Sequence, residues 1–306
     1  MKTNKVLIAA LFTVLFWGCE KVEKLENFPL ESPKITLNCN LEVNQDITVE
    51  ITRSLSVIDG ANLKEIADAE VKVSFTKDGK YISYTQKGTN DIANNVEVYT
   101  FDLKPELGIT YKIEASAKKY TSVWSEATLP LPVAIDSVVQ TIVDSSFLDF
   151  GGNYAYFNIN EASSSIYFKD NANEENYYVL NHKVLVNSVN GNGEHGVYIS
   201  STIPGAEIIN NLIFFTDQTF NGKDYLIQYD WESSGNLQDA KSDKVISEYN
   251  LVSLTKDYYR YLVSYNSYLQ NKDNPFADPV QVYNNIFGGY GIFAGSSSSS
   301  ISKLIK

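Results

Sequence analysis

The chain has 306 residues and a formal charge of −12 at neutral pH. So acidic a sequence offers no broad positive field, and nucleic acid is not an expected partner. Two histidines, two cysteines and one methionine are few for metal or redox chemistry. No cofactor and no metal site are expected.

At the N-terminus, Lys2 and Lys5 precede Val6 to Trp17, an apolar run interrupted only by Thr13. A bilayer-spanning helix needs about 20 apolar residues, so this run has the length of a signal-peptide core instead. Leu15-Phe16-Trp17-Gly18-Cys19 ends in a small residue before a cysteine. It resembles a lipobox, which implies cleavage after residue 18 and lipid on Cys19. Losing Lys2 and Lys5 with the signal takes the formal charge from −12 to −14. Glu20, Lys21, Glu23, Lys24 and Glu26 follow, then Pro29 and Pro33. Residues 19–32 therefore read as a solvated tether. An acid-containing stretch here resembles the surface-export signal of Bacteroidota lipoproteins, with a periplasm-facing tether as the alternative. With Cys19 lipidated, Cys39 has no intrachain partner. It alternates with Ile35, Leu37 and Leu41 and is expected as a buried core thiol.

The chain then reads as strands nearly throughout. Residues 34–42 and 46–54 alternate around Asn44-Gln45-Asp46, the pattern of a hairpin. Ala69 to Phe75 and Lys80 to Gln86 flank the tight-turn pair Asp78-Gly79. Val96 to Leu103, Ile109 to Ala117 and Tyr120 to Leu129 complete about seven short strands, the signature of a two-sheet sandwich. Asp68-Ala69-x-Val71-x-Val73 and Gly108-x-Thr110-Tyr111-x-Ile113-x-Ala115 resemble transthyretin-like or carboxypeptidase-regulatory-like modules at the level of fold, so a transthyretin/immunoglobulin-like sandwich is expected. Leu129-Pro130-Leu131-Pro132 is a stiff extended break. The expected division is thus a sandwich over 33–132 and a second β domain over 133–306.

In the second half, strands are expected at 133–143, 153–160, 164–169, 176–187, 212–216, 223–231 and 245–254. Tyr258, Tyr261, Leu262, Tyr265, Tyr268 and Leu269 then recur at three- and four-residue spacing. This predicts one amphipathic helix near 255–270, with Thr255 as N-cap and Asp257 in its first turn. The Tyr258, Leu262, Tyr265 and Leu269 face is expected to be core. Ser296 to Ser300 reads as a loop before a last strand at 301–305. The fold class is therefore all-β with one helix.

Several motifs carry a family resemblance. Asp170 through Asn176-Tyr177-Tyr178 is an acidic loop entering a strand. Phe215-x-Asp217-x-x-Phe220-Asn221-Gly222 is a turn. The tail holds Tyr258-Tyr259-Arg260-Tyr261-Leu262, then Asn274-Pro275-Phe276-Ala277-Asp278-Pro279-Val280, then Asn285-Ile286-x-Gly288-Gly289-x-Gly291-Ile292-Phe293-Ala294-Gly295. Together they resemble Bacteroidota outer-membrane lipoproteins of the domain-of-unknown-function family 4249, over essentially the whole mature chain. The resemblance implies an accessory role beside a TonB-dependent outer-membrane transporter.

The tail also has a physical reading of its own. Asn274, Pro275, Phe276, Pro279, Gly288, Gly289, Gly291 and Phe293 are the candidate structural or partner-binding residues. Pro275 and Pro279 bracket Phe276, and the segments Asn274 to Val280 and Asn285 to Gly295 are expected to close the second domain, with Phe276, Ile286, Ile292 and Phe293 in its core. The glycines lack the Lys-Ser or Lys-Thr of a phosphate loop. His182 is placed in a strand and His195 in a glycine-rich loop, Gly191 to Gly196, without a ligand cluster. Asp170 to Glu175 lacks EF-hand spacing and reads as a solvated loop. No Gly-x-Ser-x-Gly occurs. Three functional classes follow: a non-enzymatic surface lipoprotein that captures ligand for a TonB-dependent transporter, a structural or adhesive surface lipoprotein, and a hydrolase with no visible site. The first is the expectation.

Overall fold

The computed structural model describes residues 32–306 apart from 56–65, 67, 88–90, 94–95, 151–154, 173, 189–190, 240–242 and 275. Cys19 and Pro275 lie outside the described residues, as do the signal and most of the tether.

The first hairpin forms as its alternation requires. β1 (Ile35–Glu42) pairs antiparallel with β2 (Ile47–Arg53), Ile35 facing Arg53. β2 pairs with β6 (Val96–Phe101), and β6 pairs with the short β5 (Asp91–Ala93). The opposite sheet runs β4-β3-β7-β8, from β3 (Glu70–Lys77), β4 (Lys80–Lys87), β7 (Thr110–Ser116) and β8 (Val123–Thr128). Asp78 and Gly79 both take positive φ between β3 and β4, as a two-residue hairpin turn demands. Between the sheets lies a core of Leu37, Cys39, Val49, Val71, Val73, Tyr99, Tyr111 and Ile113. Cys39 is buried, and burial pushes its thiol pKa up, with the Glu50 charge adding to the effect.

The second half repeats this logic with longer strands. β9 (Ile135–Asp149), β10 (Ala155–Lys169) and β16 (Asp224–Leu237) form one sheet with the two-residue β13 (Tyr198–Ile199). The facing sheet has β11 (Tyr177–Ser188), β12 (Gly191–Gly196), β14 (Ala206–Ile209), β15 (Leu212–Thr216), β17 (Lys244–Leu254) and β18 (Tyr290–Leu304). Phe157, Ile166, Phe168, Tyr178, Phe215, Tyr229, Trp231 and Tyr249 fill the space between. The fold is all-β with a single helix among the described residues, α1 (Lys256–Asn271). The segments expected at 153–160 and 164–169 are one strand, bulged between Ile159 and Ala162. β12 arises in a stretch read as loop, because Gly191, Gly193 and Gly196 hide the two-residue period, and β13 and β14 lie where no strand is expected.

The two halves share one ten-stranded sheet. β1 lies parallel to β18, with Leu37 opposite Gly291 and Glu42 opposite Ser296. From Ser296 onward β18 pairs instead with β17, Leu254 facing Ser296 and Ile246 facing Leu304. The break at 129–132 thus separates two cores but not the sheet. The loop expected at Ser296 to Ser300 is strand. Small polar side chains erase the apolar period there, and their hydroxyls serve the structure. Ser299 Oγ accepts from the Ile135 amide at 3.2 Å, and Ser296 Oγ accepts from Asn40 Nδ2 at 3.0 Å.

Candidate ligand pocket and C-terminal motif

The tail motif builds the junction around β18. Thr255 Oγ1 caps α1 by accepting from the Tyr258 amide at 3.3 Å, while the Thr255 amide donates to the Gly295 carbonyl at 3.0 Å. Asp257, in the first turn, accepts from Tyr283 Oη at 2.6 Å and from Asn285 Nδ2 at 3.0 Å. Asn285 also holds the Phe293 backbone, accepting from its N–H at 2.9 Å and donating to its carbonyl at 2.7 Å. Phe293 and Ile286 are buried, but in the core of the first half rather than the second. The segment 285–295 therefore closes the N-terminal sandwich, a correction to the expected second-domain role. The reason is topological: β18 reaches β1 before it reaches β17.

The tail glycines are required by approach. At Gly291, φ is +113° and an added Cβ would lie 2.0 Å from the Leu37 carbonyl oxygen. At Gly289 the corresponding distance to the Ile35 carbonyl oxygen is 2.3 Å, and Gly288 turns the chain with φ +82°. Just before this turn Phe287 stacks on Trp124 at 4.3 Å, and the two exchange backbone hydrogen bonds.

Phe276 overturns its expectation, being 95% exposed. Asn274 Oδ1 accepts from the Phe276 amide at 3.1 Å, so a local turn sets this loop without core burial. Pro279 is exposed as well. The buried face of α1 is also shifted. Tyr258, Tyr259, Leu262 and Val263 pack on Val179, Ile209, Phe214 and Leu254, whereas Tyr265, Tyr268 and Leu269 are exposed. Tyr261, Tyr265 and Tyr268 stack in sequence, at 5.7 and 6.4 Å between ring centroids.

The acidic loop and the Phe215 to Gly222 turn meet. Asp170 is buried, not solvated. It accepts from Tyr178 Oη and, at 2.7 Å, from the Gly222 amide. Asp217 is buried beside it, and burial raises its pKa, with the Asp170 charge adding to the rise. Among the described residues, no group of three or more His, Cys, Asp or Glu side chains is placed to hold a metal.

His182 sits in the second core, 3% exposed. Its ring stacks on Tyr249 at 4.1 Å and meets Trp231 edge-on at 4.6 Å, and Nε2 lies 3.2 Å from Ser247 Oγ. Burial lowers its pKa to about 3, so it is neutral.

A cavity of about 840 Å³ opens at one end of the second sandwich, where β10 begins and β16 ends. Phe150, Tyr156, Val186 and Leu237 give it apolar surface, and Ser188, Asn192, His195, Asn236 and Gln238 give it polar groups. His195 lies in strand β12, not in a loop, opposite Val184 of β11. Its ring meets Phe157 edge-on at 5.3 Å and rests on Gly235, where an added Cβ would fall 2.3 Å from Nδ1. Burial lowers the His195 pKa. At the rim, Asp243 accepts from the amides of Gln238 at 2.6 Å and Asp239 at 3.0 Å. Burial would raise the Asp243 pKa, but these donors and the Ser188 hydroxyl more than reverse it, so the carboxylate stays charged and fixes the turn. Sequence reading missed this site. Its one local signal is Gly235, a glycine inside a strand, which marks close approach of another group.

No described helix is long and apolar enough to cross a membrane. Comparison with curated proteins gives no match. The family model described as "Domain of unknown function (DUF4249)" matches residues 22–302, which takes in both sandwiches, the helix and nearly all of β18. By that match the chain belongs to the DUF4249 family.

Proposed function

We propose that the mature chain is a non-enzymatic lipoprotein of the outer membrane, anchored by lipid on Cys19 and displayed at the cell surface. In this reading it captures a small ligand and serves a TonB-dependent transporter as its accessory. The observation that carries the capture role is the end cavity. Its 840 Å³ falls within the range of small-molecule sites, roughly 300–1,000 Å³, and its described lining holds both apolar and polar residues. The signal peptide, the Gly18-Cys19 junction and the charged tether support the anchor. Phe276, 95% exposed on the turn set by Asn274, is the tail residue this reading assigns to the contact with the transporter.

The test has two arms. Cys19→Ala should abolish incorporation of labelled fatty acid and release the protein from membranes; continued labelling would remove Cys19 as the anchor. The wild-type protein should be cut by protease added to whole cells and should co-purify with an outer-membrane barrel. Full protection from protease would count against surface display, and the absence of any barrel partner would count against the accessory role.

A further inference from the structure

We propose that the free edge of β18, from Ser297 to Ser302, receives an extended segment of the outer-membrane partner as an added β-strand. This rests on the accessory reading above and names its mode of contact.

The edge exists because β18 changes partners. β1 accompanies it in parallel only as far as Glu42, opposite Ser296, and the chain then turns away at Val43 and Asn44. β18 runs on through Leu304 with β17 on its other side. Residues 33–55, 96–150 and 243–274 hold β1, β9, β17 and the loops that flank this stretch, and all of them are described. Among the described residues, no strand pairs with β18 on the β1 side beyond Ser296. A strand edge of this kind presents backbone N–H and C=O groups that a second extended backbone satisfies. At its head, where β1 would continue, lies a cavity of about 450 Å³. Glu42, Asn44, Gln45 and Pro132 line it together with Ser297 and Ser298.

This edge lacks the guards that the other edges carry. Proteins protect strand edges with charge, with proline or by keeping them short. β9 carries Asp136, Asp144 and Asp149, and β4 carries Lys80 and Lys87. β8, β12 and β14 each carry a glutamate. β5 has three residues and β13 has two. By contrast, Ser297-Ser298-Ser299-Ser300-Ile301-Ser302 has neither charge nor proline. Ser298, Ser300 and Ser302 are exposed and small, so they leave room for the side chains of a neighbouring strand. The segment that fits is extended, without proline, and rich in strand-favouring residues such as Val and Thr.

The size of the edge selects the occupant. A strand pair of this length buries less than the roughly 1,200 Å² at which stable interfaces begin. It would not hold two freely diffusing copies of this chain together. A barrel confined to the same membrane raises the effective concentration of its own segments, and a short pairing then suffices.

The experiment titrates the full mature chain with a fluorescein-labelled decapeptide, Lys-(Thr-Val)₄-Lys, and with its fully N-methylated form, which keeps the side chains and loses the backbone donors. The first peptide should bind and the second should not. On binding, amide exchange should slow from Ser297 to Leu304 and stay unchanged in β9. The double variant Ser298→Lys, Ser302→Lys adds the missing guards at exposed positions. It should lose at least tenfold in peptide affinity, and lose the barrel in co-purification, at an unchanged melting temperature. No binding of the first peptide, equal binding of the methylated one, protection mapped elsewhere, or a double variant that keeps either the peptide or the barrel would overturn the proposal. Sedimentation is run in parallel. A wild-type dimer that the double variant dissolves would assign the edge to a second copy and overturn it too. A wild type that binds the peptide by this edge but no barrel removes the accessory role and leaves the strand site standing.

Discussion

Asn285 takes the place of a missing strand beside Phe293. β17 pairs with β18 only as far back as Ser296, so the backbone of Phe293 has no strand neighbour on that edge. The Asn285 side chain fills the gap, accepting from the Phe293 amide at 2.9 Å and donating to its carbonyl at 2.7 Å. Its remaining N–H reaches Asp257 at 3.0 Å and so ties the sheet to the first turn of α1. Asn285→Ala strips three hydrogen bonds and leaves a part-buried backbone pair unmet. It should cost about 2–4 kcal/mol, read as a lower midpoint in urea unfolding. Asn285→Asp should be no better, since it faces a carboxylate with Asp257 and with the Phe293 carbonyl. A variant as stable as wild type would show that water replaces the amide without loss.

Phe293 and Phe276 should behave oppositely although the tail motif contains both. Phe293 is fully buried between the β1 side of the shared sheet and the opposite sheet, so Phe293→Ala should cost about 3–5 kcal/mol. Phe276 is 95% exposed, so Phe276→Ala should leave the melting temperature within about a degree of wild type. Its effect belongs in partner binding, where loss of co-purification with the barrel is expected. A large drop in melting temperature for Phe276→Ala would contradict the exposed placement.

Stability should fall on the acid side because of His182. Its folded pKa is lowered to about 3 by burial, against about 6.5 for the unfolded chain. Between these values the unfolded state binds a proton that the folded state does not, so stability rises with pH across the window. Going down from pH 6.5, the contribution should be lost at about 1.4 kcal/mol per pH unit until pH 3 is approached. His182→Gln should flatten this part of the profile. Urea midpoints at pH 7, 6, 5 and 4 for both proteins check it, and parallel slopes would assign the acid loss to carboxylates instead.

Gly291→Ala should be among the most damaging single changes in the chain. The added Cβ would sit 2.0 Å from the Leu37 carbonyl oxygen at a φ of +113°. Strain and overlap together should exceed about 2 kcal/mol, enough to loosen the parallel pairing of β1 with β18. Hydrogen exchange of the β1 amides reports it directly: faster exchange confined to β1 and β18 is expected, and wild-type protection would show that β18 can shift without cost.

Much of this molecule is legible in the order of its residues. Alternation with period two sets β1, β2, β3, β7, β11, β15 and β17 within a residue or two, because one face of each strand is buried and the other is not. Asp78-Gly79 fixes its turn because both residues must take positive φ. The switch to a 3.6-residue period locates α1, and Thr255 caps it as its hydroxyl allows. Where side chains stop reporting the environment, the pattern fails. β12 is hidden by glycines, and Ser296 to Ser300 are strand residues, of which Ser296, Ser299 and Ser300 bond to neighbours through their hydroxyls. What only the tertiary structure decided is pairing across distance. No local signal says that β18 joins β1, that Ile286 and Phe293 enter the first core, or that Phe276 stays outside both. The end cavity is of the same kind. Gly193 and His195 belong to β12, Gly235 and Asn236 to β16 with Gln238 just after it, and the two groups become neighbours only when two sheets close around a core assembled from contacts remote in sequence.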